Sequence, residues 1–128
     1  MSATFAPNDG FALRLDIDKN NAYDALTDGL LILRHLLGRT GFDLTTSAIG
    51  SGATLAMPTD IKQRFDNLAP LLDVDGNGQL DALTDGLLLF NYLTGLRGSG
   101  LVTGMTGTGA TRTGSGPIES YIQSLLPP

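Results

Sequence analysis

The sequence predicts an all-α fold built from two copies of one loop–helix unit, arranged with pseudo-twofold symmetry. Three observations predict it. The eight residues Asp24-Ala25-Leu26-Thr27-Asp28-Gly29-Leu30-Leu31 recur unchanged as Asp81-Ala82-Leu83-Thr84-Asp85-Gly86-Leu87-Leu88. Residues 15–70 align on 72–127 without a gap, at an offset of 57, and 24 of the 56 pairs are identical. Apolar residues recur at helical spacing, and no segment sustains the alternation of a strand. A chain of 128 residues reads as one domain, 1–128, made of the repeats 15–70 and 72–127.

Each unit opens with an acidic loop, residues 16–24 and 73–81. Gly76 and Gly78 suit the positive φ of a tight turn, whereas the first copy has Lys19 and Asn21 there. Lysine is the less suited to that geometry, so the second loop is expected to be the better formed. The first helix is predicted over 25–37 and 82–94. Its apolar stripe is Leu26, Leu30, Leu33 and Leu37, matched by Leu83, Leu87 and Phe90. Gly38 and Gly95 stand where a helix-ending glycine belongs. Gly29 and Gly86 lie inside the helices, where glycine costs about 1 kcal/mol relative to alanine. Their presence in both copies points to a close approach of the two helices.

The Gly/Thr-rich connections, 39–57 and 96–116, carry the apolar anchors Leu44, Ile49, Leu101, Val102 and Met105. Two further short helices close the units. Pro58-Thr59-Asp60 opens one, with Ile61, Phe65 and Leu68 on one face. Gly116-Pro117 opens the other, with Pro117 at the first helical position and Ile118, Ile122 and Leu125 on one face. Pro70 and Pro127 end them.

Composition narrows the function. The formal net charge is −5, which argues against nucleic acid and anionic membranes as partners. No apolar run reaches the roughly 18 residues of a membrane-spanning helix, so no membrane insertion is expected. The first ten residues show neither a basic start nor an apolar stretch, so no signal peptide is visible. There is no cysteine, so a core this small needs another staple than disulfides.

Metal ions are the staple that the spacing suggests. Asp16, Asp18 and Asn20 occupy positions 1, 3 and 5 of a loop, as do Asp73, Asp75 and Asn77. Position 7 offers a backbone carbonyl, Ala22 or Gln79, and position 9 is Asp24 or Asp81. Position 8 is Tyr23 or Leu80, expected to pack on the core. Calcium takes about six to eight oxygens at roughly 2.3–2.6 Å, and oxygens on every second residue can turn inward around one ion. The pattern therefore predicts two Ca2+ ions, one per repeat. Helix capping would account for Asp24 and Asp28, but not for the acids upstream.

These loops resemble the dockerin-type calcium repeat, an EF-hand-like loop followed by a helix, over Asp16–Gly38 and Asp73–Gly95. The resemblance implies a non-enzymatic protein-interaction module, a cohesin-like partner, and an extracellular or cell-surface setting for a mature form or fragment. The chain departs from the pattern twice. Position 12, which closes an EF-type loop, is Thr27 or Thr84, and the acid comes one residue later at Asp28 or Asp85. Those two acids are inferred to close a lengthened loop. The 57-residue offset also exceeds the usual spacing of dockerin repeats.

Two rivals follow. The chain could instead self-associate as a subunit of a filament or surface layer stabilised by calcium, which its Gly/Thr-rich segments would suit. An intracellular calcium sensor ranks lower, since it needs an apolar and usually Met-rich groove and there are three Met. The single His35 aligns with Tyr92 and carries no nucleophile motif; Gly107-Thr108-Gly109 lacks the full phosphate-loop pattern. Arg34, Arg39, Arg97 and Arg112 read as solvated positions.

Overall fold

A computed structural model describes residues 15–20 and 22–126. The expectations for the N-terminal segment, Asn21 and Pro127 fall outside those residues. Among the described residues the regular structure is helical, with no strand.

Apolar and acidic residues alternate at the start of each loop. Leu15 and Ile17, and likewise Leu72 and Val74, are buried in the core. The aspartates between them are drawn into the candidate sites. A five-residue π-type turn follows each loop, Ala25–Gly29 and Ala82–Gly86, and runs directly into a helix, α1 (Leu30–Leu36) or α4 (Leu87–Thr94). The Gly29 N–H donates to Asp24 O and the Gly86 N–H to Asp81 O, both at 3.1 Å, five residues back. Asp24 and Asp81 share one backbone conformation, φ −121° and ψ 135°.

The π turn corrects the predicted apolar stripe. Leu26 and Leu83, expected to face inward, are 67% and 69% exposed, and Leu37 is also exposed. The buried residues are Leu31, Ile32, Leu88, Leu89 and Tyr92. One extra residue in the first turn rotates everything before it by about 100° relative to a continuous α-helix. Leu33 and Phe90 serve a second contact, between the helices. A methyl placed on Gly29 would lie 3.0 Å from Phe90 Cδ1 and 3.6 Å from Phe90 Cα. One on Gly86 would lie 3.0 Å from Leu33 Cδ1 and 3.7 Å from Leu33 Cα. The interior glycines therefore let each π turn lie against the helix of the other unit, as the sequence suggested.

Gly38 and Gly95 have left-handed φ at the helix ends, 87° and 108°. The connections contain single helical turns that the sequence did not announce, α2 (Phe42–Thr45) and α5 (Ser99–Val102). Leu44 and Leu101 hold these turns in the core. The closing helices are α3 (Pro58–Leu68) and α6 (Ser115–Gln123). Pro58 opens α3 as predicted. The other helix starts at Ser115, so Pro117 sits third rather than first. It is tolerated there because first-turn N–H groups have no intrahelical acceptor. A 3-10 turn, Ala69–Leu72, carries α3 into the second loop.

This phase assignment has a direct test in chemical denaturation. Leu31→Ala should cost about 2–5 kcal/mol, whereas Leu26→Ala should stay within about 0.5 kcal/mol. Gly29→Val and Gly86→Val should each cost about 1–3 kcal/mol by overpacking the helix–helix contact.

Candidate metal centres

The structure brings three carboxylates together in each unit. Asp16, Asp18 and Asp28 each offer an oxygen within 4.8 Å of the others, and so do Asp73, Asp75 and Asp85. Asp16, Asp18, Asp28, Asp75 and Asp85 are fully buried. The acid one residue beyond the EF-type position is thus the one facing the loop. The π turn gives the reason, since it absorbs the extra residue and turns Asp28 and Asp85 back over the loop.

Asp28 and Asp85 also hold the loops shut. Ile17 N–H donates to Asp28 Oδ1 at 2.7 Å and Asp24 N–H to its Oδ2 at 3.1 Å. Val74 N–H donates to Asp85 Oδ1 at 2.7 Å and Asp81 N–H to its Oδ2 at 3.0 Å. Each of these oxygens retains further acceptor capacity. Asp24 and Asp81 themselves are exposed and lie outside the triads, joined to them through their backbone N–H groups. Asn20 and Asn77 use their side-chain oxygens to accept from Ala22 N–H at 3.1 Å and Gln79 N–H at 3.0 Å. Their own N–H groups donate to Asp16 Oδ1 and Asp73 Oδ1.

The far ends of the connections complete each site. Gly50 N–H donates to Asp18 Oδ2 and Gly107 N–H to Asp75 Oδ2, both at 2.6 Å and across 32 residues. A side chain on either glycine would collide with Asn20 Nδ2 or Asn77 Nδ2. Thr54 N–H and Leu55 N–H then donate to Lys19 O and Asp18 O; Thr111 N–H and Arg112 N–H both donate to Asp75 O. The signal for this docking was present in the sequence. Gly50-Ser51-Gly52-Ala53-Thr54 and Gly107-Thr108-Gly109-Ala110-Thr111 keep four of five residues inside otherwise divergent connections.

Of the four arginines read as solvated, Arg39 is exposed, whereas Arg34, Arg97 and Arg112 serve main-chain carbonyls. Arg112 donates from Nε to Val74 O at 2.7 Å and from Nη2 to Asp73 O at 2.9 Å, and its guanidinium lies 3.9 Å from the Tyr121 ring centroid. Arg64 serves the first loop, donating to Asp16 O at 3.2 Å. Arg34 donates to Leu44 O and Thr46 O, and Arg97 to Tyr92 O and Leu96 O. Main-chain carbonyls turned outward by single-turn helices and loops need donors, and the fork of a guanidinium supplies several. Tyr23 packs against the core as expected, while Leu80 is exposed.

Lys19 and Gly76 adopt the same left-handed turn, at φ 56° and 69°. Glycine bears it without strain and lysine does not. The difference the sequence suggested between the two loops thus has a physical basis.

The electrostatics are those of charges without enough water. Burial pushes the Asp28 carboxyl up to about 7 from 3.8, with Asp18 and Asp16 adding repulsion against the bonds from Asp24 and Ile17. Burial raises Asp85 to about 6, with Asp75 adding repulsion. Asp18 is raised too, by burial first. Asp18 Oδ1 is buried and accepts no hydrogen bond. An unpartnered oxygen on a residue grouped with two other carboxylates fits a metal ion, and the all-oxygen donor set suits a hard cation rather than a soft metal.

Comparison with known family models, characterised proteins and solved structures finds no match to this chain.

The raised carboxyls fix the sign of a pH dependence. A group that binds its proton more tightly when folded stabilises the fold below its unfolded pKa, and that stability is lost as pH rises through the folded value. The metal-free protein should therefore lose urea resistance between about pH 4 and pH 7. A midpoint that rises over this window in chelator would contradict the assignment. Lys19→Gly should stabilise by roughly 0.5–1 kcal/mol through relief of the left-handed strain, read by the same method.

Proposed function

We infer that this chain is a non-enzymatic, calcium-binding structural and protein-interaction module. Two Ca2+ ions, one per repeat, hold the loops closed and orient α1 and α4 about a pseudo-twofold axis. One observation carries the reading: paired triads of aspartates, almost wholly buried, at positions related by the sequence duplication. Each ion would take carboxylate oxygens from Asp16, Asp18 and Asp28, or from Asp73, Asp75 and Asp85. Carbonyls of Ala22 and Gln79, the side chains of Asn20 and Asn77, and waters held by Asp24 and Asp81 would complete the shell. The setting proposed is extracellular or at a cell surface, where calcium at around millimolar concentration suits the weak end of such loops. Binding would stabilise each site by about 2.7 kcal/mol at a hundredfold excess over Kd.

The docking part of the reading rests on Leu26 and Leu83. They occupy equivalent positions at the starts of the two π turns and are both about two-thirds exposed. A cohesin-like protein is one partner class consistent with such a face. Self-assembly into a filament or layer is the second reading, favoured by further exposed apolar side chains at Phe42 and Met57.

Calorimetric titration tests the metal. The wild-type chain should bind two calcium ions. Asp18→Asn keeps an oxygen for the Gly50 N–H and removes one buried charge. It should weaken the first site at least about tenfold, a loss of about 1.4 kcal/mol, while the chelated variant melts no lower than the chelated wild type. Unchanged stoichiometry and affinity would refute the site. Sedimentation with and without calcium separates the two roles. Calcium-dependent polymers favour assembly, and monomers whose binding to an isolated partner is lost in Leu26→Asp with Leu83→Asp favour docking.

A further inference from the structure

The two repeats diverge at one place where a charge is reversed. In the second repeat Glu119, on α6, reaches back to the start of α5, and its Oε2 accepts from the Gly98 N–H at 2.7 Å. Beside it the Arg97 guanidinium folds over the Tyr92 ring, 3.5 Å from the centroid. The corresponding glycine of the first repeat, Gly41, has nearly the same backbone conformation, φ 59° and ψ −144° against 66° and −147°. Lys62 stands in place of Glu119, so the internal carboxylate is missing. Among the described residues no acceptor lies on the Gly41 N–H.

A cavity of about 210 Å3 opens at this point, lined by residues that include His35, Arg39, Gly41, Leu44, Pro58 and Lys62. Its lining holds basic side chains and no Asp or Glu, in a chain whose net charge is −5. We propose that this cavity binds a carboxylate carried on a short aliphatic stem, received by the Gly41 N–H, Lys62 and Arg39, in the place the second repeat fills with its own Glu119.

The walls define the stem. Leu44 and Pro58 are apolar, and the His35 ring stacks on Phe65 with centroids 4.3 Å apart. Burial lowers the pKa of His35, so at neutral pH the ring is an uncharged wall and Arg39 and Lys62 supply the positive charge. Lys62 Nζ lies 3.1 Å from Asp66 Oδ2, but both side chains are more than half exposed. Such a pair is weak and gives way to a carboxylate held by several donors. At about 30 Å3 per water-sized group, the cavity takes about seven such groups. That is room enough for a four-carbon acid or the side chain of a glutamate.

The test is amide NMR on the full chain in calcium-containing buffer, with butyrate as the probe and butyramide as its uncharged control. Butyrate should shift the Gly41 amide saturably, with butyramide at least about tenfold weaker. Lys62→Glu should rebuild the internal bond. It should move the Gly41 amide without ligand and abolish the butyrate response. Glu119→Lys should create a second butyrate site reported by the Gly98 amide. Comparing butyrate with acetyl-glutamate methylamide separates a free acid from a protein side chain as the natural source. Equal responses to butyrate and butyramide, or undiminished butyrate binding in Lys62→Glu, would overturn the proposal.

Discussion

Like charges crowded out of water are the constraint on which the rest of this structure depends. Three carboxylates within 4.8 Å of one another, all ionised, would repel by about 3–4 kcal/mol per pair at an effective dielectric near 20. The sum per site approaches the whole stability of a typical domain, roughly 5–15 kcal/mol. Two escapes exist. One is protonation, which the raised pKa values of Asp28 and Asp85 express. The other is a divalent cation, which converts the repulsion into coordination. Everything local is arranged to hold the acids in place regardless: backbone N–H groups of Ile17, Asp24 and Gly50 in the first unit, and of Val74, Asp81 and Gly107 in the second.

The π turn makes this crowding compatible with a helix. A loop closed by an acid at its twelfth position would lead straight into an α-helix. Here the closing acid is one residue late, and a turn closed by an i to i−5 bond accommodates it. The same extra residue sends Leu26 and Leu83 to the surface and leaves Gly29 and Gly86 where the helices cross. Site geometry, core phase and the exposed apolar face are consequences of one inserted residue. Such turns are uncommon and concentrate where function requires them.

The helical class, the acids of the loops and the close helix contact at Gly29 and Gly86 were legible in the sequence. Each rests on local spacing or on identity between copies. The π turn was not legible, because Ala-Leu-Thr-Asp-Gly has no propensity signature that separates it from an α turn. The docking of Gly50 and Gly107 onto Asp18 and Asp75 spans 32 residues, beyond any periodicity, although the shared glycine pentads marked it. Arg64 and Arg112 serve equivalent carbonyls, Asp16 O and Asp73 O, from positions that do not align. Comparison of the copies therefore hides them. The duplication conserved a need for donors, and each copy met it from a different place.

In the proposed reading the two ions replace the disulfides this chain lacks, and the most direct measurement is thermal unfolding in excess chelator against millimolar calcium. Two sites at about tenfold excess over Kd should add about 3 kcal/mol and raise the midpoint by about 10 °C, with magnesium at the same concentration doing much less. Superimposable melting curves in chelator and in calcium would contradict the account.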